Sequence, residues 1–535
     1  MTRRVLALAL AAFVGAVVFA ADPTPGPQFH TSDRCVACHN GLLTASGEDV
    51  SIGFDWRASM MANSSRDPYW QGSVRRETID HQESAAAIED ECSACHMPIP
   101  RYEAKVRGEH GRVFAHLPFA ADGKEGRQAS DGVSCAVCHQ ISTEKLGTRE
   151  SYNGGFVVQT PADPNARPEY GPFDPEPGHR RIMLTSTEGY RPTQSAHIRE
   201  SEICATCHTL LTQALGPDGA VVGSLPEQVP YQEWLHSDFK GTQSCQSCHM
   251  PEIGEPAPAT RVFGAMRDGL RRHSFVAANF FMLRMLNRYR DAVDAAALPH
   301  ELDRAADNTI AYLQSRAATV RVDTVRVDGD RLRAEVIVEN LGGHKLPTAY
   351  PSRRAWLHLV VRDGHGQVVF ESGALNADGS VRGNDNDADA TKFEPHYTEV
   401  TAADQVQIYE SILGDASGAV TTGLLQATHF LKDNRLLPRG FDKRTADPEI
   451  AVHGEAENDP DFVAASDRVR YAVPVGSAPG PFTVDVELRY QPIGFRWANN
   501  LKKYDGPEPH RFTSYYDAMA AASAATLAHA TVAVR

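Results

Sequence analysis

One five-residue word occurs five times in the first half of the chain. It reads CVACH from Cys35 to His39, CSACH from Cys92 to His96, CAVCH from Cys135 to His139, CATCH from Cys204 to His208 and CQSCH from Cys245 to His249. Together the copies use all 10 cysteines. A zinc ribbon can share paired cysteine words around one tetrahedral ion, but it has no need of a histidine after every pair. A redox disulfide between cysteines three apart has no need of it either. The combination suits covalent haem: two thiols add across the porphyrin vinyl groups as thioethers, and the adjoining imidazole becomes the proximal iron ligand. The expectation is five covalently bound haem c groups. Cys35, Cys38, Cys92, Cys95, Cys135, Cys138, Cys204, Cys207, Cys245 and Cys248 would form the thioethers, and His39, His96, His139, His208 and His249 would bind iron.

The words are irregularly spaced, with first cysteines at 35, 92, 135, 204 and 245, so there is no strict repeat. Segments this short cannot each enclose a core, and the porphyrins must supply much of the apolar interior, wrapped by short helices and irregular loops. A proline-, glycine- and acid-rich stretch over 160–179 reads as one such loop. Past the last word the texture changes. Apolar residues recur at helical spacing over 263–320 and predict two helices packing on the last haems. From Val320 onward the pattern alternates, in TVRVDTVRV, RLRAEVIVEN, AWLHLVVRD and FTVDVELRYQ, as in the strands of a β-sandwich. The expected class is α+β. A five-haem region spans 21–256, a helical segment 257–318, and a β-sandwich-like region 319–535 with a long polar insertion over about 375–465; a helix and a closing strand end the chain.

Arg3 and Arg4, the apolar run Val5 to Phe19 and small residues ending at Ala20 predict a cleavable signal peptide over 1–20. The run is shorter than the ~20 residues a spanning helix needs. No later segment is long and apolar enough to span, so the mature chain is expected to have no transmembrane segment and to be periplasmic. A formal net charge of -15 argues against nucleic acid, which demands a basic surface.

The segments DGVSCAVCHQI, SEICATCHTL, EQVPYQEW followed by SCQSCHMP, and NLGGHKLPTAYPSRRAWLHL resemble the multihaem cytochromes c of the cytochrome c-552/4 (cytochrome c554-like) family, in particular members with an appended C-terminal β-domain. The resemblance covers nearly all of the mature chain. It implies electron transfer in the periplasm through mostly six-coordinate haems whose second ligand is usually a histidine. Carriers and enzymes share that haem arrangement, so resemblance alone does not settle a substrate.

Of the 22 histidines, five belong to the words, so supply does not select the distal ligands and position must. His273, in RRHSF after the last word, is the first candidate, followed by His197, seven residues before Cys204. At least one of His81, His110 and His116, near the second and third words, is expected to ligate; His30, His179 and His236 are in reserve. His344, in GGHKLPT at the expected tip of the first β-hairpin, either reaches the haem region as a distal ligand or is hydrogen-bonded in a tight turn. The resembling group often carries Trp-x-x-Ser-x-His with a ligating histidine. Here Trp56 and Ser59 are followed by Met61, and Trp234 and Ser237 by Phe239. Met61, or its neighbour Met60, is therefore a candidate thioether ligand, and otherwise one haem face is expected to be open.

Two other motifs carry weaker expectations. Asp385, Asp387 and Asp389 alternate as in calcium loops, but Ala390 and His396 replace the glycine and glutamate that an EF-hand requires. A looser calcium site is weighed against a solvated acidic turn. Arg353 and Arg354 could meet propionates or a partner, or form a strand-edge charge pair. The leading expectation is a pentahaem carrier passing electrons between periplasmic or membrane-bound redox proteins. The alternatives are an oxidoreductase acting on a small nitrogen or sulfur compound at one open haem, and a subunit of a larger electron-transfer assembly.

Overall fold

The protein is α+β, and the computed structural model describes residues 28–119, 123–161 and 163–535. The expected signal peptide lies outside them. Cysteines at i and i+3 and a histidine at i+4 share one face only if the backbone coils as a helix. The words accordingly lie on or beside short helical turns: Asp33–Val36, Cys135–Gln140, Glu202–Ala205 and Cys245–His249. The side chains of Ser134 and Ser244 cap two of these turns by accepting from Ala136 N and Ser247 N.

Two longer helices surround the second word. Helix α1 (Pro68–Asp80) begins where Asp67 accepts from the amides of Tyr69 and Trp70, with Pro68 in its first turn. Helix α2 (Ala85–His96) carries the second word at its C-terminal end. Between the fourth and fifth words the chain makes an antiparallel hairpin, β1 (Leu210–Leu215) with β2 (Val221–Gln228), followed by the short helix α3 (Pro230–Leu235).

The two helices expected after the last word are α4 (Phe280–Arg288) and α5 (Pro299–Arg316). They pack on each other through Leu283, Leu302 and Ala306. Phe280, Phe281, Met282, Met285 and Leu286 of α4 and Leu313 of α5 join the hydrophobic core of the β region, and Tyr312 of α5 stands 6.2 Å from the ring of His249. Glu301 caps α5 by accepting from Leu298 N and also holds Arg57 at 2.6 Å.

Two sheets face each other in the β region. The first four strands are β3 (Ala318–Asp328), β4 (Arg331–Asn340), β5 (Arg354–Arg362) and β6 (Val368–Ser372). Strands β7 (Ser411–Asp415) and β8 (Ala427–Asp433) follow in the insertion, then β9 (Ser466–Pro474) and β10 (Phe482–Gln491), helix α6 (Pro507–Asp517) and the closing strand β11 (Ala525–Val534). One sheet has the order β6-β5-β10-β11, and Ile408–Tyr409 extends it along β5; the other runs from Glu399–Val400 through β9 and β4 to β3. In β10 the alternate residues Phe482, Val484, Val486, Leu488 and Tyr490 are buried, the pattern of a strand with one face on a core. Burying each aliphatic or phenyl side chain of this set is worth about 1.5–3 kcal/mol.

Two expectations change here. The insertion is not a polar excursion: β7 and β8 pair inside it, and Leu413, Phe430, Leu436 and Phe441 enter the main core. His344 is not at a hairpin tip either, since the β3–β4 turn lies at 329–330. It sits in the segment 341–353 that crosses from one sheet to the other. The main core also includes Tyr69 of α1 and Leu225 and Val229 after the fourth word, so the word-bearing half and the β half share one interior.

Candidate functional site

Four of the five word histidines are oriented in the same way. Nδ1 lies against a backbone carbonyl in His39 (Ala259 O, 2.6 Å), His96 (Ser64 O, 2.9 Å), His139 (Tyr170 O, 2.5 Å) and His249 (Val276 O, 2.7 Å). A carbonyl can only accept, so the proton sits on Nδ1 and the lone pair is on Nε2, the tautomer a metal requires. Burial also holds these imidazoles below their ordinary pKa, His96 at about 4. Each is therefore neutral and able to donate its electron pair.

Two of them face a second imidazole. His273 stands 6.4 Å from His139 between ring centres, with the planes 16° apart. His344 stands 6.2 Å from His249, with the planes 8° apart. Rings in van der Waals contact would be closer; two imidazoles bonded to opposite sides of one metal, at about 2.0–2.1 Å per bond, stand roughly 6 Å apart between centres. The Nδ1 atoms of His273 and His344 also lie against carbonyls, of Arg271 at 3.1 Å and Lys345 at 3.0 Å. All four residues thus present Nε2, and the donor set fits bis-histidine haem.

The crossing segment brings His344 to its place through contacts on both sides. Gly343 packs where a β-carbon would lie 3.2 Å from Phe239 and 3.4 Å from Trp234. Glu233 of α3, buried, accepts from Lys345 N at 3.0 Å and Thr348 Oγ1 at 2.6 Å and pairs with Arg435 at 3.0 Å. Arg435 and Lys345 both bind Asp433, each at 2.7 Å. Burial would raise the Asp433 carboxyl, but the two cations outweigh it and hold it well below the carboxylate range. Nothing in the residues around Glu233, Asp433 or Arg435 marks them in the sequence as the clamp on His344.

The other candidates are placed differently. His197 is not presented to a metal: its Nε2 meets Ile141 O at 2.8 Å and its Nδ1 meets Ser195 Oγ at 2.6 Å. His81 and His30 each bury Nε2 without a hydrogen-bond partner, His81 at the end of α1 and His30 beside Tyr190 at 5.1 Å between ring centres. His116 lies among Glu125, Arg112 and Glu89, on the α2 side of the second word, and burial lowers its pKa. The rings of His179 and His236 reach the carbonyls of Val262 and Asp442. The Met61 carbonyl accepts from Val133 N just before the third word, and its side chain is half-buried. Trp70 stacks flat on His96 at 4.4 Å.

The words also touch one another. Thiols meet at Cys35 and Cys135, at Cys95 and Cys207, and at Cys204 and Cys245. The third word reaches the fourth as well, Cys138 acting on both Cys204 and Cys207. The fourth word is therefore the junction, adjoining the second, third and fifth.

Calcium finds no seat in the acidic turn. Asp387 is buried and grips Arg354 with both oxygens at 2.8 and 2.9 Å, while Asp385 is exposed. The same contact corrects the reading of Arg354, which is an interior ion-pair partner rather than a strand-edge charge. A further cluster, His396 with Asp459 and Asp467, brings ligand-type atoms within 4.8 Å of one another. Gln407 and Asn434 donate to His396 Nδ1 at 2.9 and 3.0 Å, and their own oxygens are held by Tyr397 N and Glu410 N. The His396 proton must then sit on Nε2, where it is donated to Asp459 at 3.0 Å. The cluster is therefore bound up in hydrogen bonds, with Asp467 Oδ1 left buried and unpartnered.

No helix among the described residues is long and apolar enough to cross a membrane. No protein-family model matches the chain, and no curated protein matches it. In its fold the chain is similar to the crystal structure of a penta-haem cytochrome c552 from Thermochromatium tepidum, at 16% sequence identity and a TM-score of 0.52, over 95% of this chain and 99% of that one.

Proposed function

We propose that the chain is an exported, periplasmic pentahaem cytochrome c that passes electrons between redox proteins, and that it is related to the cytochrome c-552/4 group. The observation that carries this reading is the pair of imidazole couples, His139 with His273 and His249 with His344, parallel and metal-spaced beside two attachment words. Iron held between such imidazoles changes oxidation state by one electron without making or breaking a bond at the metal. The protein's part is to anchor and insulate. Ten cysteine thiols would add across porphyrin vinyl groups, the sulfur bonding one vinyl carbon and the thiol hydrogen passing to the other; carbonyls fix the proximal tautomers, and the touching words keep neighbouring sites close enough to form a relay. In this reading 21–256 is the haem region, 257–318 bridges, and 319–535 is a frame that delivers His344. His81 or His116 would serve the second word and His30 the first; Met61 stays as a candidate at the wall between the second and third words.

Intact mass and a pyridine-haemochrome count on the mature chain test the proposal. Five haems per chain and bis-histidine low-spin signals in electron paramagnetic resonance are expected, and four haems or fewer would overturn it. A second reading, an oxidoreductase with one open haem, is favoured by His39, His96 and His208, none of which has a parallel imidazole across from it among the described residues as His139 and His249 do.

A further inference from the structure

The first word lies at an end of the relay: its thiol contact is with the third word, Cys35 to Cys135, whereas the fourth word adjoins three others. Behind its histidine runs a short hairpin, Ala257–Pro258 paired with Met266–Arg267. Ala259 O meets His39 Nδ1 at 2.6 Å, and Thr260 Oγ1 and Arg261 N both donate to Cys38 O, at 3.2 and 2.9 Å. The hairpin is thus clamped to the word. Phe263, two residues past Arg261, is tethered within about 7 Å of that clamp.

The tip of the hairpin faces solvent. Phe263 is 88% exposed, against 57% for the next large apolar side chain among the described residues, Val221. Its φ of +52° is left-handed, a strained backbone for a bulky residue. The turn closes so tightly behind it that a β-carbon on Gly264 would collide with Thr260 O. Met266, across the turn, is also exposed. His179 Nε2 meets Val262 O at 2.8 Å and lays the helix Pro177–Ser186 against the hairpin; Ile182, one turn further along the same helix face, is exposed too.

Arginines surround these three side chains, on a chain whose formal net charge is -15. Glu176, Glu188 and Asp174 are each paired, with Arg267, Arg34 and Arg180. Arg181, Arg261 and Arg199 are exposed and make no ion pair among the described residues, and Arg199 reaches the hairpin by sharing the ring of Phe173 with Arg267. The acids left without an ion pair are Asp268 and Asp33, and Asp33 accepts from Thr31 Oγ1.

We propose that Phe263, Met266 and Ile182, ringed by Arg181, Arg199 and Arg261, form the docking site of a one-electron donor protein whose redox centre lies under an apolar patch rimmed by carboxylates. The inference rests on the pentahaem reading and names the chemistry of one partner. One electron passes from the reduced carrier, which is oxidised, to ferric iron at the first word, which becomes ferrous with no bond made or broken; the third word receives it next. An apolar centre inside a charged rim is the anatomy of such an interface. The unpaired guanidiniums steer an acidic face toward it and oppose a second copy docking patch to patch, where like charges would meet.

The test uses the full-length holoprotein in stopped flow. Reduced plant-type ferredoxin is the carboxylate-rimmed donor, and oxidised mitochondrial cytochrome c, with a lysine-rimmed haem edge, is the opposite probe that takes electrons back. Reduction by ferredoxin should slow as salt rises. Phe263→Ser should slow it about tenfold; Arg261→Glu should do the same and flatten the salt dependence. Neither should slow electron transfer to cytochrome c. Dithionite, which needs no docked partner, controls for damage to the haem region. Ferredoxin reduction that ignores both variants would overturn the inference. Slowing of cytochrome c by Phe263→Ser would overturn it as well, since the patch would then take a basic partner, and so would a dimer in sedimentation that Phe263→Ser dissolves. Fewer than five haems by mass would instead remove the reading on which it rests.

Discussion

The two halves of the molecule are stabilised in opposite ways. The β half builds most of the shared interior: strands such as β10 bury alternate residues, and even its charges are paired inside, Arg354 with Asp387 and Lys345 with Asp433. The word-bearing half is held by short helical turns, by backbone carbonyls on imidazoles and by contacts between thiols. Its small apolar clusters, such as Phe29, Ile99, Val137 and Tyr190, lie among the words and expect porphyrin as their filling. The contrast separates a frame from what it frames. The crossing segment 341–353 carries His344 out of the β half to the fifth word.

Withholding haem should show the contrast most strongly. In the full chain expressed without haem attachment, limited proteolysis read by mass spectrometry should cut within 28–256 at least about tenfold faster than within 319–535, because the core that the β strands build needs no cofactor to fill it. Equal cutting rates in the two halves would remove the distinction.

Next in size is the clamp between them. Glu233→Ala leaves Arg435 to Asp433 alone and strips the amide of Lys345 and the hydroxyl of Thr348 of their buried acceptor, a loss of about 1–3 kcal/mol. Chemical denaturation should record it. The fifth haem should also gain carbon monoxide binding as His344 loosens, which a purely local defect in the β half would not produce.

Acid should act on the frame rather than on the words. Asp433 has a native pKa depressed by Arg435 and Lys345. Its contribution to stability is therefore complete above the unfolded value of about 4 and is lost as pH falls through the lower native value. Urea denaturation should show the β half weakening below about pH 4, and Asp433→Asn should flatten that dependence. An unchanged slope in the variant would break the link.

The smallest effect is expected at the turn itself. Gly343→Ala places a methyl 3.2 Å from Phe239, a fit relieved by a slight shift at roughly 1 kcal/mol. The low-spin signal of the fifth haem should change shape while that of the third, served by His273, stays as it was.

The sequence by itself determined the chemistry of attachment. Five copies of one local word place thiols and imidazole on a helical turn whatever surrounds them, and period-two alternation over 319–340, 355–363 and 482–491 declared strands because residues facing a core recur every second position. Distal ligation was not local. His273 and His344 lie 134 and 95 residues from the histidines they face, and no spacing rule spans such distances. His197 sits near a word in sequence, yet both its nitrogens are taken by Ile141 and Ser195. The aspartates of 385–389 share a calcium-like spacing, yet one is turned inward to Arg354. Only the tertiary structure decided these, because a ligand is defined by where its lone pair points, and that direction is set by long-range partners such as Glu233 on Lys345 N and the carbonyls of Val276 and Tyr170.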